Sequence, residues 1–398
     1  MSSDDLTTIV QTAARGGLFL FIGSASSTVI MAIGGILVAR LLGPSSYGLY
    51  SLSLVIPTFL VSVSDMGMNF ALVRLTARLR AEGHHARANR LLRLGILLKL
   101  TTSALAFFIC YAGSTQIATT LLNRPELAPF VRFASVLIVF QALFDATNNA
   151  FIGSDLMQYT ASTQIMMSIL KGTLCPALVL IGLGITGVIS GYILSLAAAG
   201  LTGACILFAR PAGIRVKATS PTDAMLLRSQ SKGSRHGPSS GQTTDSALNG
   251  LRALLGYGFP LYVAAILTTF LLQYQNIVLA HFANNVEIGN FNATWNFTQL
   301  VAILSYPIMT SLFPMFSKMD PRNRRDELSR TFALTVKYVA LVMVFISVAL
   351  MVFSRDLIYL TYGKGYALAP RYLMLLSALY LLSGIGFCLL YTSDAADE

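Results

Sequence analysis

Apolar stretches of roughly twenty residues recur along this chain, separated by short polar or basic segments. A helix needs ~20 mostly apolar residues to cross the hydrocarbon core of a bilayer, because each residue advances only ~1.5 Å. On that criterion the pattern predicts helical spans near residues 17–39, 49–72, 92–113, 129–151, 160–182, 185–209, 253–280, 288–313, 333–353 and 367–390. The fourth and eighth carry "FDATNNAF" and "NFNATWNF". Polar side chains at that depth face a bundle interior or a wet cavity rather than lipid. The expected fold class is therefore an all-α, polytopic membrane protein with about 10 helices.

The segments between the spans set an orientation. With a cytoplasmic N-terminus, the inner loops hold Arg74, Arg78, Arg80, Arg87, Arg90 and Arg93, a second group between 210 and 252, and a third around Lys318–Arg330. Eighteen basic residues fall on that side against four on the other, namely Arg40, Arg124, Arg355 and Lys364. Such a bias marks the cytoplasmic face, and one missed helix would scramble it. The expectation is a multi-pass protein of the cytoplasmic (inner) membrane. Residues 1–16 form a cytoplasmic N-terminal segment and residues 17–209 a first lobe of six helices. A Ser-, Gly- and Thr-rich stretch within 210–252 cannot bury a core and reads as a cytoplasmic linker. Residues 253–387 then form a second lobe.

Composition agrees. Only 11% of the 398 residues are charged, 55% are apolar, and mean hydropathy is +0.67; a soluble chain carries about 25% charged residues. The net charge of +11 is accounted for by the loops and gives no reason to invoke nucleic acid. Cys110, Cys175, Cys205 and Cys388 stand singly in or beside apolar runs, without metal or redox spacing. The first apolar run follows "QTAARGG" without a small-residue cleavage site.

An internal repeat adds a second level. "ILVARLLGPSSYGLYSLS" (36–53) and "IVLAHFANNVEIGNFNAT" (277–294) align at an offset of 241 residues. Ile36 meets Ile277, Ala39 meets Ala280, Gly48 meets Gly289 and Tyr50 meets Phe291. The same offset carries span one into span seven, span three onto span nine and span four onto span ten. Parallel repeats related by an axis along the membrane normal are a transporter architecture. Two pseudo-symmetric six-helix lobes around a central cavity are expected, with four of the second lobe's six helices present. Counterparts of spans five and six would lie beyond residue 398. The closing "CLLYTSDAADE" (388–398) matches what a sequencing-library transposon adapter encodes, so it is expected to be adapter read-through on a truncated gene.

The stretch "ARLLGPSSYG", followed by "DMG" (65–67) and "ALVR" (71–74), resembles the opening signature of the polysaccharide flippases of O-antigen and teichoic-acid type. These belong to the multidrug/oligosaccharidyl-lipid/polysaccharide exporter superfamily. The second-lobe echo and "FPMFSKM" (313–319) are similar to the same family. The resemblance implies a transporter of 12 to 14 helices moving a polyprenyl-diphosphate-linked glycan to the outer leaflet by alternating access. It also implies coupling to H+ or Na+ and work beside a glycan polymerase or glycosyltransferases. Many relatives carry an acidic residue where this chain has Asn276, so a proton-carrying role does not transfer to that position.

The candidate residues follow from cost. Asp65, Asp145 and Lys171 lie within apolar spans, where a charge costs at least ~2.5 kcal/mol at the helix centre. Either they face a cavity, with Lys171 holding a diphosphate as a point charge and an aspartate binding the coupling cation, or Asp145 and Lys171 pair inside the lobe. Arg40, Arg74 and Arg132 lie near span ends, where they snorkel to headgroups or form a cationic rim. Asn149, Gln273, Asn276 and Asn296, with Asn148, Gln164, Gln275 and Asn292, are span amides that suit a glycan-wetted path or polar helix packing. Gly43, Pro44, Gly48 and Gly289 are fold markers: Pro44 sets a turn, and the glycines allow conformations and close approaches that other residues resist. His84 and His85 sit in a basic surface loop, and the two Asn-X-Thr matches at 292 and 296 fall inside a span. No phosphate-binding loop, HExxH or nucleophile elbow is present, so neither a cofactor nor an enzyme is expected. The alternatives are a drug/cation antiporter or peptidoglycan-precursor flippase of the same superfamily, a membrane-embedded polymerase or glycosyltransferase, and a scramblase-like or structural protein.

Overall fold

The computed structural model describes residues 3–209, 245–297 and 325–379, and every regular element among them is helical. In hydrocarbon a backbone group finds no water, so a spanning segment satisfies its hydrogen bonds within itself. Helix α1 is Ser3–Asp65, α2 Met68–Ala81, and α3 His85–Gln116, extended by a π turn to Leu121. After a short 3-10 turn come α4, Ala128–Ala134, and α5, Leu137–Ile152. Helix α6 is Met157–Leu178, α7 Gly184–Ala209 and α8 Asp245–Phe282. Residues 285–297 form α9, Arg325–Val352 α10, Ser354–Thr361 α11 and residues 369–379 α12.

Among the described residues five helical segments are long and apolar enough to cross a membrane, or six if the end of α10 and α11, bent by 69°, count as one span. Their outward faces are apolar. On α10 Leu341, Phe345, Val348 and Val352 are exposed, and on α3 Leu97, Leu105, Phe108 and Ile109. Spacings of three and four residues place the α10 set on one helix stripe, and the α3 set falls within one face of its helix. In water such stripes would drive association; here they meet lipid tails.

The segment Ile22–Arg80 is 59 residues long, or roughly 90 Å of helix, far more than one crossing needs. It is interrupted twice. Gly43 has φ 73° and ψ 167°, a backbone state that glycine adopts without penalty, and Pro44 follows at the first helical position of the next arm. Met66 and Gly67, with φ 47° and 76°, separate α1 from α2. The polar runs "QTAARGG" and "DSALNG" do not break helices, so α1 already begins at Ser3 and α8 at Asp245. Both starts fall inside stretches expected as an N-terminal segment and a linker. Residues 210–244, the "FPMFSKM" echo and the 388–398 tail lie outside the described residues.

By packing, the chain divides into two compact units, Met1–Met31 with Leu52–Phe282, and Ala32–Ser51 with Ala283–Glu398. This division cuts through α1 rather than falling between spans six and seven. The first unit shows how the chain crosses back and forth. Contacts between α6 and α7 run antiparallel, Leu178 lying by Gly187 and Cys175 by Gly191. Antiparallel contacts also join α2 to α3, through Leu72 and Gly95, and α5 to α6, through Asn148 and Thr163 at 2.9 Å. Helices two spans apart run parallel instead: Phe144 and Thr147 of α5 meet Gly200 and Gly203 of α7, and Val73 of α2 meets Gly153. That alternation is an up-and-down path through the bilayer.

The second unit is ordered by polar caps and close backbones. Asn284 and Glu287 bond each other's backbone N–H at 2.8 Å, a capping box that starts α9. Buried Asn290 receives the N–H groups of Leu368 and Ala369 at 3.2 and 2.9 Å, which caps α12 from a neighbouring helix. Tyr366 donates to Ala39 O at 2.6 Å, and burial raises its phenol above the ordinary value, so it stays a donor. Asn296 donates to the hydroxyls of Tyr47 and Tyr362 at 3.0 and 3.4 Å.

The repeat reappears here as geometry. A Cβ at Gly48 would strike Asn285 O, and a Cβ at Gly289 would strike Pro44 O. At the 241-residue offset Gly48 pairs with Gly289 and Pro44 with Asn285, so these two contacts are images of each other. Reciprocal contacts of that kind arise on a two-fold axis, which here passes between α9 and the arm of α1 that follows Gly43.

Candidate functional site

The break between α1 and α2 organises the polar interior of the first unit. Helix α1 ends with carbonyls that lack intrahelical donors. Val63 O takes the hydroxyl of Tyr262 at 3.0 Å, and Ser64 O takes that of Thr102 at 2.8 Å. Asp65 sits at the break with a side chain only 13% exposed, and Lys99 of α3, 1% exposed, places its ammonium 2.8 Å from Asp65 Oδ1. A buried ammonium is tolerated only when paired and hydrogen-bonded, and Lys99 also donates to Asn69 Oδ1. Asn69, in the first turn of α2, places its own N–H 3.5 Å from Asp65 Oδ2.

From Asn69 the polar chain continues into α5. Asn149 donates one amide hydrogen to Asn69 Oδ1 and one to the carbonyl of Asp145, both at 2.8 Å. Asp145 Oδ1 accepts from Gln141 at 2.9 Å, and Gln141 Oε1 accepts from Tyr192 of α7 at 3.4 Å. The Lys171 ammonium of α6 lies 3.3 Å from the centroid of the Tyr192 ring, a cation–π contact. Six helices of one unit thus contribute to one run of polar groups, each linked to the next by a hydrogen bond, an ion pair or a ring.

Several candidates meet in this run: Asp65, Asp145, Asn149 and Lys171. Of the two arrangements open to Asp145 and Lys171, the ion pair inside the lobe is not formed. Lys171 rests on a ring and Asp145 on an amide, and the lysine that reaches a carboxylate is Lys99, which pairs with Asp65. Lys99 is the residue sequence reasoning passes over, along with Asn69, Gln141 and Tyr192. It stands inside span three in "LGILLKLTTS", where the insertion cost that singles out Lys171 applies equally.

The remaining candidates lie elsewhere. Gln273 donates to Thr58 Oγ1 at 3.1 Å and faces Asn276 at 3.4 Å, which joins α8 to α1. Asn296 belongs to the tyrosine cluster of the second unit. Arg132 is exposed and tied to the end of α3, 3.1 Å from Ser114 Oγ and 5.5 Å from the Tyr111 ring centroid. Arg40 and Arg74 are exposed. Cys110 and Cys175 are buried packing residues, whereas Cys205 is exposed on α7. No cluster of metal-ligating side chains occurs among the described residues.

The polysaccharide biosynthesis protein family matches residues 13–320, more than three-quarters of the chain. The chain belongs to that family. It is 22% identical over 261 residues to the "Probable low-salt glycan biosynthesis flippase Agl15" of Haloferax volcanii, an alignment covering 63% of this chain and 52% of the relative. The chain therefore spans about half the length of the curated relative it matches. Among solved structures, an inward-facing multidrug resistance MATE family transporter of the MOP superfamily superposes with a TM-score of 0.65 at 17% identity, covering 91% of this chain and 79% of that one. A MOP superfamily transporter from Pyrococcus furiosus, described as having a binding pocket of reverse polarity, gives a TM-score of 0.56 at 18% identity, with 94% and 82% coverage. This polysaccharide biosynthesis family member thus shares an all-α, multi-pass membrane fold with MOP superfamily transporters.

Proposed function

We propose that this protein is a flippase that moves a polyprenyl-diphosphate-linked oligosaccharide from the inner to the outer leaflet of the cytoplasmic membrane. Two lobes, 17–209 and 253–387, would alternate access to the substrate, with the N-terminus in the cytoplasm and a cation gradient as the source of energy. The observation that carries the reading is Lys171. Its ammonium stands midway along α6, half-buried, against the Tyr192 ring and in no ion pair among the described residues. A cation left without a carboxylate in an apolar span is costly unless a ligand uses it, and a diphosphate is the anion such a lipid offers. The family and its glycan-flippase relative point to the same substrate class.

The test is complementation. Expression in a strain lacking its own glycan flippase should restore surface polysaccharide, and Lys171→Met should reduce restoration at least tenfold at equal membrane abundance. No restoration with several lipid-linked donors, despite good membrane expression, overturns the reading. Asp145, which accepts from Gln141 and is in no ion pair among the described residues, favours a second reading as a cation antiporter. Cation-driven drug efflux without any effect on surface glycan would select it.

A further inference from the structure

The break between α1 and α2 has the construction of an ion site. Intramembrane helix breaks are where transporters of several folds hold ions, because exposed backbone ends and nearby carboxylates converge there. Here the C-terminal end of α1, which carries partial negative charge, meets the Asp65 carboxylate and the Asn69 amide oxygen. These are the hard oxygen donors that a small monovalent cation takes. The position at their centre is filled by the Lys99 ammonium, 2.8 Å from Asp65 Oδ1 and bonded to Asn69 Oδ1. Both lone pairs of that amide oxygen are used, the second by Asn149 at 2.8 Å. The surrounding carbonyls of Val63 and Ser64 are closed by Tyr262 and Thr102, so the shell is complete once the ammonium is in place.

We propose that this break is a monovalent-cation site whose resident cation is the side chain of Lys99. The tethered ammonium does the electrostatic work of a bound Na+: it neutralises Asp65 and holds α1, α2 and α3 together, with no ion taken from solution. Two consequences follow. Na+ does not bind at Asp65 in the wild-type protein, and any coupling ion uses another carboxylate, of which Asp145 is the neighbour in the same polar run. Removing the ammonium converts the shell into a Na+ site.

The experiment reads ion binding in the purified full chain in detergent, so it is independent of the glycan reading. Thermal unfolding is followed while NaCl replaces choline chloride at constant ionic strength. The wild-type midpoint should not respond, Lys99→Ala should gain a saturable Na+-dependent rise of several degrees, and Asp65→Asn combined with Lys99→Ala should lose that rise. Lys99→Gln, of similar length and without charge, is read the same way. Recovery of either variant's folding by Na+ but not by choline also supports the site. A folded Lys99→Ala that ignores Na+ overturns the proposal, as does a saturable Na+ response of the wild type that Asp65→Asn abolishes. Failure of both lysine variants to fold in either salt overturns it too, since a shell built for a cation should be rescued when refilled.

Discussion

Replacing Gly289 with alanine tests the two-fold contact most directly. The new Cβ would lie far inside the van der Waals contact distance of Pro44 O, 2.7 Å from Pro44 C and 3.1 Å from its Cα. All three are backbone atoms, so no side chain can rotate away, and α9 must move off the α1 arm by on the order of 1 Å or more. Overpacking of this kind costs ~3 kcal/mol at the upper end of its usual range. Alanine's better helix propensity returns ~1 kcal/mol, for a net loss of about 2 kcal/mol. The movement also strains the bonds from Tyr366 to Ala39 and from Asn296 to Tyr47, which span the same region. Gly113→Ala is the control. Its Cβ would meet only the tip of Ile117, at 3.7 Å, so it should be neutral or stabilising by up to ~1 kcal/mol. Gly48→Ala should match Gly289→Ala, because its Cβ meets Asn285 O and Gly289 N. The double variant should cost less than the two single effects added, because helices already parted accept the second methyl group. Heat or denaturant unfolding of the purified chain in detergent measures all four. Wild-type stability of Gly289→Ala beside a well-behaved Gly113→Ala would refute the reciprocal contact.

Three further outcomes are expected. Asp65→Asn should destabilise by ~3 kcal/mol or more, since it strands a buried ammonium, and Asp65→Asn with Lys99→Met should recover much of that loss in the same unfolding assay. Asn284→Ala removes one half of the capping box and should cost ~1 kcal/mol, seen as faster amide exchange in the first turn of α9 rather than across the unit. Thr102→Val leaves Ser64 O without its donor at the helix break and should cost ~1–3 kcal/mol, with Thr101→Val, whose hydroxyl bonds only its own helix, as the neutral comparison.

Lys99 and Gly48 show where reading the chain succeeds and where it stops. Gly48 was legible because a repeat leaves a trace at a constant offset, and the same trace pairs Pro44 with Asn285. Lys99 was equally visible as a charge in an apolar run, yet its partner was not, because Asp65 lies thirty-four positions away on another helix. Asp145 and Lys171 are of opposite sign on adjacent spans, which left a pair and a cavity-facing placement both open; each is turned toward a different neighbour, Gln141 and Tyr192. The breaks were partly legible. Gly43–Pro44 reads as a turn and does interrupt α1, whereas the glycines of "QTAARGG" and "DSALNG" interrupt neither α1 nor α8.

What the sequence determined by itself is the solvent and the architecture. A chain with 11% charged residues and apolar runs long enough to cross a bilayer can satisfy its backbone only as spanning helices, and its two copies of one pattern make it a repeat. Those properties are sums over many residues, so no single error of assignment reverses them. Tertiary structure alone decided which polar groups meet. Whether a buried charge is neutralised depends on contacts of about 3 Å between helices distant in sequence, and a rotation of one helix by a single residue would exchange every partner. For that reason the Asp65–Lys99 pair, and the placement of Lys171 on the Tyr192 ring, belong to the fold rather than to the pattern.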